Sequence, residues 1–84
     1  MNTVERYYRA HEAPVRLTPK EQEALHWAML GKTAWETSRI QDCSEAAINF
    51  HLSNIRRKFG VSSIRAALVI AINQGMLFSR YATA

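Results

Sequence analysis

Apolar side chains recur at helical spacing between residues 44 and 59, on a narrow stripe at roughly 100° per residue. The stripe consists of Ile48, Leu52, Ile55 and Phe59. This spacing predicts a helix that packs one face against a core. Ser44 is a suitable N-cap for this helix, and Gly60 follows its last apolar position.

The opposite face of the same helix carries small or polar residues and one large aromatic residue. It carries Ala46, Asn49, Phe50, Ser53 and Arg57. Phe50 lies about 200° from Ile48 on the helical wheel, so its ring points away from the core. The last turn carries Arg56, Arg57 and Lys58, cations that suit the helix dipole and can bind phosphates. The pattern predicts a helix that enters a DNA groove.

The residues before this helix predict two shorter helices with the same start signal. Thr18, Pro19 and Glu21 form a capping box with proline at the first helical position, and this helix ends at Gly31. Its apolar spacing places Leu25 and Ala28 inside, with Leu30 or Met29 beside them. A second capping box begins at Thr33 and starts a helix that runs to about residue 41. Two short helices, a tight turn and a helix with an exposed polar face indicate a helix-turn-helix.

A last helix is predicted from about residue 64 to residue 74, before Gly75. Its core stripe consists of Ile64, Ala67, Leu68 and Ala71. Because Val69, Ile70 and Ile72 are apolar as well, a terminal helix cannot bury all of its apolar residues alone. Some of the remaining apolar residues form a second stripe, which suits a partner helix. This stripe is predicted to be a dimer interface and consists of Val69, Ile72 and Met76. Packing of these residues under Tyr7 or Tyr8 of the N-terminal tail is the alternative.

Length and charge limit the function. A chain of 84 residues forms one domain and buries only about 60% of its unfolded surface, which leaves no room for a cofactor cleft. Residues 1–43 carry six Lys/Arg and six Asp/Glu, whereas residues 44–84 carry five Lys/Arg and only Glu45. The net charge of +4 therefore lies on or after the central helix, which suggests a polyanionic partner. A solvated basic face would have the same composition.

Several classes of protein are disfavoured. The single cysteine, Cys43, cannot form an intrachain disulfide, and the three histidines lack zinc spacing. No apolar run approaches a membrane span or a signal sequence, so we expect a cytoplasmic protein that does not bind membranes. No phosphate-binding glycine loop, zinc-protease motif or carboxylate pair is present. We therefore expect no enzyme activity, metal or cofactor.

The motifs together resemble a known family. They are 17–23 (LTPKEQE), 31–33 (GKT), Ser44-Glu45, 50–63 (FHLSNIRRKFGVSS) and 75–77 (GML). They are similar to the four-helix DNA-binding domain of LuxR-type (LuxR/FixJ/GerE-like) transcription regulators, and most similar to quorum-sensing receptors for acyl-homoserine lactones of the LasR type. The expected fold is thus an all-α four-helix bundle spanning residues 17–77. Residues 1–16 are expected to form a linker or tail, and residues 78–84 a C-terminal tail.

The resemblance implies a role for most of the exposed positions. The central helix would lie in the major groove, with base contacts from Asn49, Phe50 and Ser53, and with Ala46 on the same face. Phosphate contacts would come from the start of the second helix and the end of the third: Lys32, Thr33, Trp35, Arg56, Arg57 and Lys58. The last helix would form a dimer. Because its second apolar stripe is only a few side chains, we expect a weak homodimer that is stabilised on an inverted-repeat DNA site. RNA polymerase is a further candidate partner.

Some positions depart from the family pattern. Many members carry a basic residue at position 46 or 49 and threonine at 47, where this chain has Ala46, Asn49 and Ala47. Thr37 replaces a usual aliphatic residue, which predicts weaker packing of the second helix. Asp42 replaces a usual glycine, and aspartate tolerates the left-handed region better than most residues.

Two questions stay open at this level. The family's receptors carry an N-terminal ligand-binding domain that this sequence lacks, so it is either a fragment or a single-domain regulator, and a lactone would bind outside this chain. The alternative function is a helical interaction or dimerisation module that has lost DNA binding, as Ala46 and Ala47 would suggest. The basic run at 56–58 and the outward Phe50 argue against it.

Overall fold

Four α-helices form within residues 15–77, the part of the chain that the computed structural model describes. They are α1 (Pro19–Met29), α2 (Ala34–Ile40), α3 (Glu45–Phe59) and α4 (Ile64–Asn73). The described residues contain no strand, so the predicted all-α fold is confirmed. Residues 1–14 of the tail predicted at 1–16, with Tyr7 and Tyr8, and the tail predicted at 78–84 lie outside the described residues. Within 15–77, no helix has the length and apolar character needed to cross a bilayer.

The helix starts are set by local hydrogen bonds that the sequence predicted. The Thr18 hydroxyl accepts from the Glu21 backbone N–H at 3.1 Å, while the Thr18 N–H donates to Glu21 Oε1 at 3.0 Å. The same reciprocal pair joins Thr33 and Glu36 at 3.0 and 2.9 Å. Each capping box satisfies two backbone N–H groups that a bare helix end would leave unpaired.

The α3 helix is bounded by matching signals at its two ends. The Ser44 hydroxyl accepts from the Ala47 N–H at 3.0 Å. At the other end, Gly60 adopts the left-handed conformation with φ 69°, which glycine reaches without a Cβ penalty. α3 contacts each of the other three helices, so it is the central element of the bundle.

The core is formed by apolar residues of α1, α3 and α4 and by one residue after α4. It consists of Leu25, Ile55, Phe59, Ala67, Ile70, Ala71 and Leu77. The predicted α3 stripe faces inward: Ile48, Ile55 and Phe59 are buried, and Leu52 packs partly buried against the core.

The inward-facing residues predicted on α1 and α4 are confirmed in part. Leu25 is buried on α1, and on α4 Ala67 and Ala71 are buried with Ile64 and Leu68 packed against the core. On α1 the buried alanine is Ala24, whereas Ala28 is only partly buried; beside the core lies Met29, while Leu30 is exposed. On α4, Ile70 was predicted to lie outside the core stripe but belongs to the core with 8% exposure. Because α4 is apolar almost all round, periodicity alone does not show that Ile70 joins the buried stripe.

The α2 helix is attached through a polar face. Its buried side chains are Thr37 and Ser38, followed by Gln41 at the C-cap. The Thr37 hydroxyl donates to the Thr33 carbonyl at 2.8 Å, and the Ser38 hydroxyl donates to the Trp35 carbonyl at 2.6 Å. After α2, Asp42 adopts φ 55°, in the left-handed region as the sequence suggested. The chain thereby turns within four residues into α3.

Candidate nucleic-acid interface

One face of α3 is free of the bundle and carries the four side chains predicted to contact bases. Ala46, Asn49, Phe50 and Ser53 are all exposed. On the opposite face, Ile48 and Ile55 have no solvent exposure. The structure therefore brings the four predicted residues together on a single exposed surface. We call this surface the groove face of α3.

Phe50 is the most exposed large apolar residue of this surface, with 64% of its area accessible. Its ring meets the His51 ring edge to face, with centroids 6.1 Å apart and planes at 62°. This contact leaves most of the area of the Phe50 ring open to solvent. A ring exposed to this degree does not contribute much to the fold, so its apolar surface is available to a ligand.

The start of α2 presents a second exposed group. Lys32 and Thr33 are exposed, and Trp35 is 59% exposed. The Thr33 backbone N–H and hydroxyl hold the pKa of Glu36 below its usual value, so Glu36 is ionised near neutral pH. The Thr33 hydroxyl oxygen also accepts the Glu36 N–H at 3.0 Å.

Arg39 extends this exposed group along α2. Its guanidinium carbon lies 5.8 Å from the centroid of the Trp35 ring, within the range of a cation–π contact. Arg39 was not predicted from the sequence, although its spacing of four residues from Trp35 on a helix was a usable signal. The contact places a further cation on the exposed side of α2.

The three cations at the end of α3 have different environments. Arg57 is exposed, and its Nη2 donates to Asn54 Oδ1 at 2.9 Å. Arg56 is partly buried. Lys58 is engaged within the domain, where its Nζ donates to Glu21 Oε1 at 2.6 Å and to the Arg16 carbonyl at 3.0 Å. These residues were predicted as one group, but the structure separates Lys58 from the two arginines.

Glu21 is the buried partner in this arrangement, with 3% exposure. Burial raises the pKa of Glu21, but hydrogen bonds from Lys58 and the Thr18 N–H outweigh it, so the net pKa lies below the usual value. The carboxylate is therefore ionised near neutral pH and attracts the Lys58 ammonium. Glu21 and Lys58 are 37 residues apart, and no local pattern indicates their contact.

The predicted dimer stripe on α4 is only partly exposed. Val69 is 54% exposed and Ile72 is 48% exposed. Met76, by contrast, is partly buried and packs against the core. The exposed patch is therefore smaller than the sequence predicted. Nothing within residues 15–77 covers Val69 or Ile72.

A metal site is not indicated within residues 15–77. No cluster of three or more His, Cys, Asp or Glu side chains able to hold a metal occurs within 15–77. Cys43 is exposed and free in the turn before α3. The exposed residues of α2 and α3 that were predicted to contact DNA carry cationic, amide, hydroxyl and aromatic groups.

Comparison with known proteins places this geometry in a family. The family described as "Bacterial regulatory proteins, luxR family" matches residues 15–71, a segment that includes the exposed faces of α2 and α3. The chain belongs to the luxR family. The resemblance inferred from the motifs is thus confirmed, and α2, the turn and α3 form the helix-turn-helix of this family of transcription regulators.

Individual luxR-family relatives match the same region. The quorum sensing-dependent transcriptional regulator RpaR of Rhodopseudomonas palustris is 44% identical over 62 residues, covering 74% of this chain and 26% of RpaR. The transcriptional activator LuxR of Aliivibrio fischeri is 37% identical over 65 residues, covering 77% of this chain and 26% of LuxR. The chain thus spans about a quarter of the length of these curated relatives.

A solved structure supports the fold. The crystal structure of the phage VqmA-DPO complex matches with a TM-score of 0.69 and 27% sequence identity. The match covers 87% of this chain and 36% of that chain. The four-helix arrangement therefore also occurs as part of a longer chain, in agreement with the partial coverage of the curated relatives.

Proposed function

We propose that this luxR-family domain binds double-stranded DNA sequence-specifically as a transcription regulator, with α3 in the major groove. The observation that carries the proposal is the groove face of α3, where Phe50 is 64% exposed opposite the fully buried Ile48 and Ile55. An α-helix fits the major groove of B-DNA, where each base pair presents a distinct pattern of donors and acceptors.

The side chains of the groove face supply the chemistry of base readout. The Asn49 amide can pair with adenine N6 and N7, and the Phe50 ring can rest on a thymine methyl group. The Ser53 hydroxyl can donate or accept. The short Ala46 side chain allows the helix to approach the bases closely. We therefore propose a preference for A/T-containing steps under the centre of α3.

Side chains at the start of α2 and the end of α3 are proposed to contact the DNA backbone. We propose phosphate contacts from exposed or partly buried residues at the start of α2 and the end of α3: Lys32, Thr33, Trp35, Arg56 and Arg57. Lys58 is left out because its ammonium already bonds Glu21 and the Arg16 carbonyl. This revises the sequence prediction, which counted Lys58 among the phosphate contacts.

Assembly on DNA follows from the exposed residues of α4. Val69 and Ile72 form an apolar patch that an isologous second copy would bury. A patch of so few side chains falls well below the ~1,200 Å² of a stable interface. We therefore propose a weak dimer that forms on an inverted repeat, with half-site centres about one helical turn, ~10 base pairs, apart.

The regulatory context is proposed from the relatives. RpaR is described as quorum sensing-dependent, and we propose a role in quorum sensing for this chain. An acyl-homoserine lactone would act through a domain outside residues 15–77, and RNA polymerase is a proposed partner at the promoter. These parts of the proposal depend on the DNA binding.

Selection of bound duplexes from a random DNA library, followed by sequencing, tests the proposal. The expected result is an enriched, two-fold symmetric motif. If no sequence is enriched and random duplex at low salt gives no gel shift, DNA binding is contradicted and the interaction-module alternative is favoured. A motif without two-fold symmetry would contradict the dimer while leaving DNA binding intact.

A further inference from the structure

Asn54 and Arg57 form a side-chain pair on the last turns of α3. Arg57 Nη2 donates to Asn54 Oδ1 at 2.9 Å, across a spacing of three residues. Asn54 is partly buried, whereas Arg57 is exposed. The amide oxygen is therefore carried by the less mobile partner, and the long arginine side chain is the one that gains order from the bond.

The pair lies on the same side of α3 as the groove face. At 100° per residue, Arg57 falls about 20° from Phe50 and about 40° from Ser53 on the helical wheel. Asn54 falls about 40° from Phe50, on the other side of it. A guanidinium held there lies where the end of α3 would leave the groove and approach the DNA backbone.

We propose that Asn54 is a positioning residue, which holds the Arg57 guanidinium in the orientation that binds a DNA phosphate. This rests on the proposed function, since it requires that α3 enters DNA. A guanidinium has five N–H donors, so the bond to Asn54 leaves most of them for phosphate oxygens. Arginine has many rotamers to lose on binding, and a bond made before binding reduces that loss.

The environments of the neighbouring cations make Arg57 the side chain for which such positioning matters most. Lys58 is bonded to Glu21, and Arg56 is partly buried and so already restricted. Arg57 is exposed, and its hydrogen bond to Asn54 stays within α3 rather than reaching another helix. Its order in the free domain therefore depends on Asn54.

A double-mutant cycle on DNA affinity tests the proposal. Fluorescence anisotropy would be measured for the parent, Asn54→Ala, Arg57→Ala and the double variant, on the selected duplex and on a random duplex. Asn54→Ala is expected to weaken both complexes about two- to tenfold, the cost of ordering one mobile side chain. In the Arg57→Ala background, Asn54→Ala should cause no further loss of affinity, because its only effect is through Arg57.

Two further variants separate positioning from a general effect on the fold. Asn54→Gln keeps an amide oxygen that can reach the guanidinium, and it should restore affinity to within about twofold of the parent. Asn73→Ala removes the same amide from an exposed position on α4. On a duplex with a single half-site, where the α4 patch has no partner, it should leave affinity unchanged. Thermal melts of all variants should agree within a few degrees.

Equal losses of affinity from Asn54→Ala with and without Arg57 would overturn the proposal, as would no loss at all. A changed base preference in selection with Asn54→Ala would also overturn it, because Asn54 would then read a base itself. Absence of DNA binding by the parent would instead contradict the proposed function. The two failures are therefore distinguished by the parent protein alone.

Discussion

Lys58 Nζ lies 2.6 Å from Glu21 Oε1, so the last turn of α3 is bonded to the first turn of α1. The bond crosses from the proposed recognition helix to a carboxylate that also caps α1 through the Thr18 N–H. An ammonium that already donates to Glu21 and to the Arg16 carbonyl is less able to bind a phosphate. The Lys58–Glu21 pair therefore holds the end of α3 against α1, and it also removes Lys58 from the proposed phosphate contacts.

The first prediction concerns the salt dependence of DNA affinity. Removing one phosphate-binding side chain lowers the slope of log affinity against log salt by about one. We expect Arg57→Ala to lower the slope by about one and Lys58→Met to leave it nearly unchanged, since Lys58 is occupied by Glu21. Anisotropy titrations over a range of salt concentrations measure both slopes. A drop of about one with Lys58→Met would restore Lys58 to the phosphate contacts.

The second prediction concerns the pH dependence of folding. The pKa of Glu21 is lower in the folded state than in the unfolded chain, so its contribution is present above about pH 4.3 and is lost as the pH falls through the folded pKa. Glu21→Gln should unfold at lower urea concentration than the parent at pH 6. The difference between the urea midpoints of the parent and of Glu21→Gln should become smaller as the pH falls toward 3.

The titration of Glu36 provides a check on this interpretation. Thr33 also lowers the pKa of Glu36, so Glu21→Gln should keep some sensitivity to acid. Glu36→Gln is the matched control for the loss of a capping carboxylate. The Glu36 carboxylate accepts the N-cap N–H of its own helix, as the Glu21 carboxylate does on α1. A midpoint gap for Glu21→Gln that stays constant from pH 6 to pH 3 would show that the carboxylate does not stabilise the fold by its charge.

The capping boxes and the two faces of α3 could be predicted from sequence because their causes are local. Thr18 and Thr33 bond groups three residues away, and the burial of Ile48 and Ile55 follows from helical spacing. The exposed Phe50 follows from the same spacing. These features needed no knowledge of how the helices pack.

Other features could not be predicted because they depend on how distant elements meet. The apolar spacing on α4 predicted the stripe that faces the core, but only packing shows that Ile70 is buried beside it and Ile72 is exposed. The bond between Glu21 and Lys58 joins residues that are remote in sequence. Of the buried polar residues on and after α2, only Thr37 stood out in the sequence, as a polar residue at a usually aliphatic position. No sequence pattern indicated that Gln41 is buried.

The third prediction concerns Gln41, which is 7% exposed. Neither its Nε2 nor its Oε1 has a hydrogen-bond partner among residues 15–77, and a buried polar group without a partner costs about 1–3 kcal/mol. Gln41→Leu keeps a similar volume and removes that cost, so we expect unfolding free energy to rise by about 1 kcal/mol or more. Gln41→Ala should instead lower it by leaving a cavity. Urea unfolding measures both, and a destabilised Gln41→Leu would show that the amide is bonded.

The fourth prediction concerns base readout by the groove face. Asn49 is exposed on α3, and a bidentate bond to adenine contributes about 1–3 kcal/mol of discrimination. Asn49→Ala should therefore change the selected sequence at one or two positions and leave affinity for random DNA unchanged. Selection with parent and variant in parallel tests this. Identical motifs would remove Asn49 from the proposed base contacts, and Arg57→Ala provides the contrast, since it should weaken all sequences alike.

The fifth prediction concerns assembly and uses two isoleucines of α4 as a matched pair. Ile72 is 48% exposed, whereas Ile70 is 8% exposed and part of the core. Ile72→Asp places a charge in the proposed dimer patch, so it should abolish cooperative binding to the two half-sites while Tm changes little. Ile70→Asp buries an unpaired charge and should lower Tm strongly or prevent folding. Calorimetry and titrations on one-site and two-site duplexes measure the two effects. A large fall in Tm with cooperativity intact for Ile72→Asp would mean that Ile72 packs within the chain, and the dimer would then need a different surface.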